Sequence, residues 1–262
     1  MSLAQITCRF GDGAARLRVR ELNGLDEQCI RDVSTATAIA LLDRVVEARP
    51  GASWRAAQLT AADRDRLLAA IYRATYGERI ASTPRCPNCG NLFDLTFALD
   101  DLLAAVDLVP PGVADTLPDG TFRAPGGAHF RLPTGEDELA VAELPPEGAE
   151  LALLERCLLD ASADADTRKA VEDALEAIAP VLDLDIGTTC PECGVHQTVH
   201  FDVQFYLLRA IAQERPIIAR EIHRIAAVYG WSLQEILGLS RSERRQFVEL
   251  IESEQLPRRR MQ

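Results

Sequence analysis

CPNCG at 86–90 and CPECG at 190–194 are the stretches on which the reading of this chain turns. Each is Cys-Pro-x-Cys-Gly, the pattern of a zinc knuckle, in which two thiolates three positions apart on a tight turn reach one tetrahedral ion from the same side. Pro87 and Pro191 preset φ for the turn. Gly90 and Gly194 can supply the positive φ that aims backbone N–H groups at sulfur. One knuckle is half a coordination sphere, and two complete a four-thiolate site. Both ligand pairs have the same offset, since 190 − 86 and 193 − 89 each give 104. The flanks match as well: NLFDLTFALDDLL and VHQTVHFDVQFYLL each run from an alternating, strand-like stretch into an apolar helix. The pattern predicts a pseudo-twofold arrangement. Each half contributes a hairpin and a ligand pair, Cys86 with Cys89 and Cys190 with Cys193, around one structural Zn2+ per chain.

A CxxC pair has other uses. A thioredoxin-type pair follows a strand at a helix N-terminus, whereas these two precede strands and are duplicated. Plain reduced thiols with the metal lost are the remaining alternative. The long separation is unlike an ordinary zinc ribbon, so the segment between the knuckles reads as an insertion with structure of its own. The fold class expected is α+β, mainly helical with small β-hairpins, built around a split zinc ribbon.

The chain has 262 residues, enough for a full core and one to three small domains. Aromatics are few, so the core is expected to be Leu, Ala, Val and Ile. Forty acidic against 28 basic residues give a net charge of −12. That balance argues against nucleic acid as the main partner, because phosphate binding needs local positive charge. Beyond the knuckles, Cys8, Cys29 and Cys157 are scattered in apolar or helical contexts and read as buried free thiols, which fits a reducing compartment. The N-terminus lacks a charged region followed by an apolar run, and no stretch approaches the ~18 apolar residues of a membrane span. A cytoplasmic protein is expected.

Five segments follow along the chain. Residues 1–57 hold a hairpin (3–10 and 15–20), an irregular stretch (21–33) and a helix (35–48). Residues 58–106 hold a Thr60-capped helix, with Asp63 placed for a capping box and Arg64, Arg66 and Arg73 on its surface, then the first knuckle and a helix over 99–106. Residues 107–182 are the insertion: a Pro/Gly/Asp-rich linker (107–120), a hairpin (121–132), and helices beginning near Thr134, after PPEG, and at 168. The acidic loop DASADAD lacks the Gly and Glu of a calcium loop and reads as solvated. Residues 183–215 carry the second knuckle and its helix. Residues 216–262 are a helical docking segment with capping boxes at Ser232/Glu235 and Ser240/Glu243 and a disordered tail, PRRRMQ.

Catalytic motifs are missing: there is no HExxH, no phosphate-cradling glycine loop and no GxSxG elbow. His196 and His200 sit at strand spacing after the second knuckle and read as exposed strand residues, with a role beside the metal as the alternative. His129 and His223 read as structural or exposed. A closed four-cysteine site leaves no position for water or substrate, which points to structure, not catalysis. The C-terminal helix–Gly–helix run, with Arg241, Arg244 and Arg245, has the outline of a helix-turn-helix. Interleaved glutamates spoil its basic face, so an adaptor on nucleic acid is kept as the alternative function.

LTAADRDRLLAAIYRATYGERI before CPNCG, then FRLPTGEDEL, LLERCL, CPECG and IHRIAAVYGWSLQEILGLSRSERRQFVELI resemble, in that order, the phage baseplate hub assembly chaperones. Relatives of that family occur with contractile phage tails and phage-tail-like contractile injection systems. The resemblance covers most of residues 58–254. It implies a non-enzymatic assembly factor for virion or injection-system baseplates. Its partners would be hub, spike or tape-measure proteins, and its zinc ligands Cys86, Cys89, Cys190 and Cys193.

Overall fold

A computed structural model describes residues 2–10, 16–47, 54–107, 112–160 and 164–259. The architecture is α+β: helices alternate along the chain with small sheets, and among the described residues every strand pairing is antiparallel. Strands β1 (Ser2–Thr7) and β2 (Arg16–Arg20) form the expected hairpin, and β3 (Val46–Glu47) joins its edge. Helix α1 (Gly24–Cys29) occupies the stretch expected to be irregular. Six residues carry too little periodicity to be seen, and the helix stands on its cap: the Asn23 side chain accepts from Asp26 N–H and Asp26 accepts from Asn23 N–H. Helix α2 (Thr35–Val45) follows, capped by Ser34.

A single 3₁₀ turn, Ala56–Gln58, leads into α3 (Ala61–Tyr76), which Thr60 caps and Gly77, at φ 93°, ends. The capping box stays half made, because the Asp63 carboxylate accepts instead from the backbone N–H groups of Arg9 and Phe10. The first knuckle lies between β4 (Arg79–Ser82) and β5 (Leu95–Ala98), and α4 (Leu99–Val106) comes next. The expected linker contributes a strand, β6 (Asp115–Thr116), which pairs with β7 (Phe122–Arg123), itself paired with β8 (His129–Phe130). Helices α5 (Gly135–Val141), α6 (Pro146–Cys157) and α7 (Ala165–Ile178) complete the insertion. The second knuckle joins β9 (Asp183–Thr189) to β10 (His196–Asp202), and α8 (Val203–Gln213) follows. The chain closes with α9 (Arg215–Tyr229), α10 (Leu233–Gly238) and α11 (Arg241–Arg259), so three residues of the expected disordered tail are helical.

The main core gathers Leu41, Leu42 and Val45 of α2, Leu67, Leu68 and Ile71 of α3, and Leu207, Leu208 and Ile211 of α8. Each such side chain contributes about 1.5–3 kcal/mol of transfer free energy. A second core stacks Phe122 and Phe130 on Val171, Ala174 and Ile178 of α7. A third, around Ile225, Ile236 and Ile251, belongs to the C-terminal helices.

Two docking contacts repeat each other. The sequence reads R-x-x-[N/T]-G-x-D-E at 20–27 and at 131–138. In the first copy Arg20 grips Asp26 through two nitrogens, at 2.6 and 2.9 Å, and Arg44 adds Nε at 3.0 Å. In the second, Arg131 grips Asp137 at 2.6 and 2.9 Å, and Arg156 adds Nε at 2.9 Å. The glycines allow close approach. A Cβ on Gly24 would lie 3.0 Å from Leu237 Cα, and one on Gly135 3.2 Å from the Ala57 carbonyl oxygen. Each copy therefore seats the backbone leading into another helix. Asn23 bridges to Ser240 ahead of α11, and Thr134 bridges to Thr60 ahead of α3. Glu27 then pairs with Arg244, as Glu138 pairs with Arg64. Arg64 is thus buried, not on the surface.

Candidate metal centre

Each knuckle is built by backbone. Cys86 N–H donates to the Asn91 carbonyl (2.9 Å) and Gly90 N–H to the Cys86 carbonyl (3.0 Å). Cys190 N–H donates to Val195 (3.0 Å) and Gly194 N–H to Cys190 (2.9 Å). Gly90 and Gly194 take φ of 75° and 72°, a region that L side chains avoid. The hairpins keep the 104-residue offset throughout. Ile80 faces Phe97 as Leu184 faces Phe201, and Arg79 faces Ala98 as Asp183 faces Asp202. The junctions obey it too, with Leu99 N–H on the Glu78 carbonyl and Val203 N–H on the Leu182 carbonyl.

The four sulfurs of Cys86, Cys89, Cys190 and Cys193 lie within 4.8 Å of one another. Cys86 Sγ is 3.6 Å from Cys193 Sγ, and Cys89 Sγ is 3.9 Å from Cys190 Sγ. Tetrahedral metal–sulfur bonds of about 2.3 Å require sulfurs about 3.8 Å apart, so the cage fits one ion. These gaps are far too long for disulfides, and both join sulfurs of opposite knuckles. Cys86 and Cys190 are buried against Phe93 and Leu95, while Cys89 and Cys193 face solvent.

The sulfur set is electrostatically unbalanced by itself. The Asn88 side-chain amide, 3.5 Å from Cys193 Sγ, together with the Val195 backbone N–H, draws that thiol down to about 6. Asn91 N–H favours the Cys89 thiolate, but desolvation and the neighbouring sulfurs outweigh it and push Cys89 up to about 11. A dication would hold all four as thiolates and remove this conflict.

The other candidate groups lie elsewhere. Cys8 and Cys157 are buried, and burial pushes their thiols up to about 12 and about 11, a setting for inert packing groups. Cys29 is half-buried, less covered than expected. His196 and His200 are exposed on β10, where His196 meets Thr189 and His200 meets Asp183 and Asp185. His129 bonds Thr121 Oγ1 at 2.6 Å in its hairpin, and His223 is exposed. Arg241 and Arg244 are buried on Glu27, Glu214 and Glu221, so two of the three arginines behind the helix-turn-helix outline do not face solvent. Asn88 and the doubled Arg–Asp–Arg contacts escaped the sequence reading. The repeated R-x-x-[N/T]-G-x-D-E was the available signal for the latter.

Among the described residues no helix is long and apolar enough to cross a membrane. Comparison of this chain with models of known protein families, with curated proteins and with solved structures finds no match.

Proposed function

We propose that this protein is a non-enzymatic assembly factor, clasped by one structural Zn2+, that works through protein–protein contacts on the baseplate hub of a contractile tail or injection system. The observation that carries the reading is the convergence of four sulfurs from two stretches 104 residues apart. All four are supplied by the chain, so an ion held there has no open position for substrate, and an all-thiolate tetrahedron suits zinc. In small peptides structural zinc contributes about 10–16 kcal/mol of apparent binding free energy, comparable with the stability of a whole domain. That is enough to make a long insertion and its two flanks one rigid grip. The hub as client rests on the resemblance of the ordered motifs between 58 and 254. The net charge of −12 favours a basic partner surface.

The test is twofold. Native mass spectrometry should find one zinc per chain. Affinity capture from cells assembling a contractile tail should recover hub, spike or tape-measure proteins. A chain that carries no metal, or that recovers none of these while folded, overturns the corresponding part.

A further inference from the structure

We infer that the groove between α6 and α7 is a docking site for an amphipathic helix with basic flanks, supplied by a partner protein. The groove encloses about 490 Å³ and is floored by Leu153, Leu154, Leu175 and Leu184, with Glu150, Glu172 and Glu176 at its rim.

In the other half of the molecule a helix fills the matching place. Helices α2 and α6 each close an Arg–Asp–Arg contact from their last turn, through Arg44 and Arg156. Helices α3 and α7 each start a knuckle unit, 104 residues apart. In the first half, α8 packs on both α2 and α3. There α2 buries Ala38, Ile39, Leu41, Leu42 and Val45, and α3 is buried on two sides. In the second half the matching place is the open groove. Helix α6 buries only Cys157 among its twelve residues, leaving Leu153 and Leu154 of the groove half covered. A helix that buries so little of an apolar side is short of a neighbour. Helix α4, the counterpart of α8, cannot fill the groove, because Leu99 and Val106 commit it to the main core.

Charge selects the kind of helix. Leu68 and Tyr72 of α3 are replaced at the 104 offset by Glu172 and Glu176, with Leu175 standing for Ile71. The counterpart floor stays apolar while its margins become acidic. An occupant with arginine or lysine beside its apolar stripe satisfies both. The inference deepens the proposed function only in taking the chain to act through protein contacts. It does not depend on the identity of the client.

The probe is a synthetic helical peptide of about 18 residues, five turns, made of leucine, alanine and arginine with one apolar face. A scrambled peptide of equal composition is the control. Fluorescence anisotropy with the full metal-loaded chain, at physiological salt, should show binding of the amphipathic peptide and at least about tenfold weaker binding of the scramble. Glu172→Lys with Glu176→Lys should weaken binding by about tenfold, and Leu154→Asp by more. Should Leu154→Asp unfold the chain, hydrogen exchange of the natural sequence decides: the peptide should slow exchange in 150–157 and 172–184. Equal binding of the scramble, binding indifferent to the glutamate reversal, or protection elsewhere overturns the inference. So does self-association of the chain through this groove. Because the peptide is not a baseplate protein, a failure here and a failure of affinity capture remain distinguishable.

Discussion

In the first half, α3 turns Leu68, Ile71 and Tyr72 into the main core, while at the same offset α7 carries Glu172, Leu175 and Glu176 beside an open groove. Asp65, buried in the first half, corresponds to Lys169, which lies in solvent with Glu172 and Asp173. Next to these helices the two hairpins share one register wherever both are paired, although the second ladder runs unbroken over seven residues and the first over four. The difference teaches where each part gets its shape. Strand, turn and glycine around the sulfurs are fixed by local chemistry, so they agree. The helices take their burial from whatever packs on them, so they diverge.

The docking contacts give a second comparison. Arg244 pairs with Glu27 where Arg64 pairs with Glu138, but Arg241 stands where the other copy has Ala61. Glu27 therefore serves two buried arginines, with Glu214 and Glu221 completing the network, whereas Glu138 serves one and is partly exposed. Buried ion networks add little stability over apolar packing, yet they are costly to break.

The largest effect is expected at the knuckles, which should respond as equals. Cys86→Ser with Cys89→Ser, or Cys190→Ser with Cys193→Ser, each removes half the cage. Either pair should abolish metal retention and lower Tm by on the order of 10 °C or more. Metal analysis and thermal unfolding check this. A large asymmetry between the two pairs would mean that one knuckle does not share the site.

The docking contacts should respond unequally. Glu27→Ala leaves two buried guanidinium groups short of a partner and should cost about 3–5 kcal/mol. Glu138→Ala leaves the one buried guanidinium of Arg64 short of a partner, but Glu138 is itself partly exposed, so the cost should be smaller, about 1–3 kcal/mol. Urea unfolding of the two variants measures the difference. Equal costs would show that burial does not distinguish the two contacts.

The smallest effect concerns Asp65, whose counterpart Lys169 is exposed. Burial pushes the Asp65 carboxyl up to about 7, with Asp202 and Glu138 adding to the rise and Arg64 and the Leu182 N–H opposing it. The unfolded chain releases this proton near 3.8, so the group stabilises the fold at low pH and loses that contribution as pH rises toward 7. Asp65→Asn can still accept from Leu182 N–H, 2.9 Å away. It should add about 1 kcal/mol above pH 7 and flatten that part of the stability profile. Unfolding measured from pH 4 to pH 8, in the natural sequence and the variant, checks both statements.

Legibility differed by kind of signal. Residues 99–106 and 183–189 emerged with the boundaries they were expected to have, because apolar periodicity and flanking turns mark them. Helix α1 was invisible, since its cap and its seat on Leu237 matter more than its six residues. Arg64 and Arg244 look like surface charges in sequence, because nothing local shows that a distant glutamate waits for each of them.

The chain alone determined its α+β character, its knuckle turns and the shared offset of its cysteines, all of which follow from spacing, proline, glycine and hydrophobic period. Only the tertiary structure decided that the sulfurs come within one ion's reach and that two arginine–glutamate contacts become buried. It also decided that one helix pair is covered while its counterpart lies open. Those outcomes depend on which distant surfaces meet, and burial exists only once they have met.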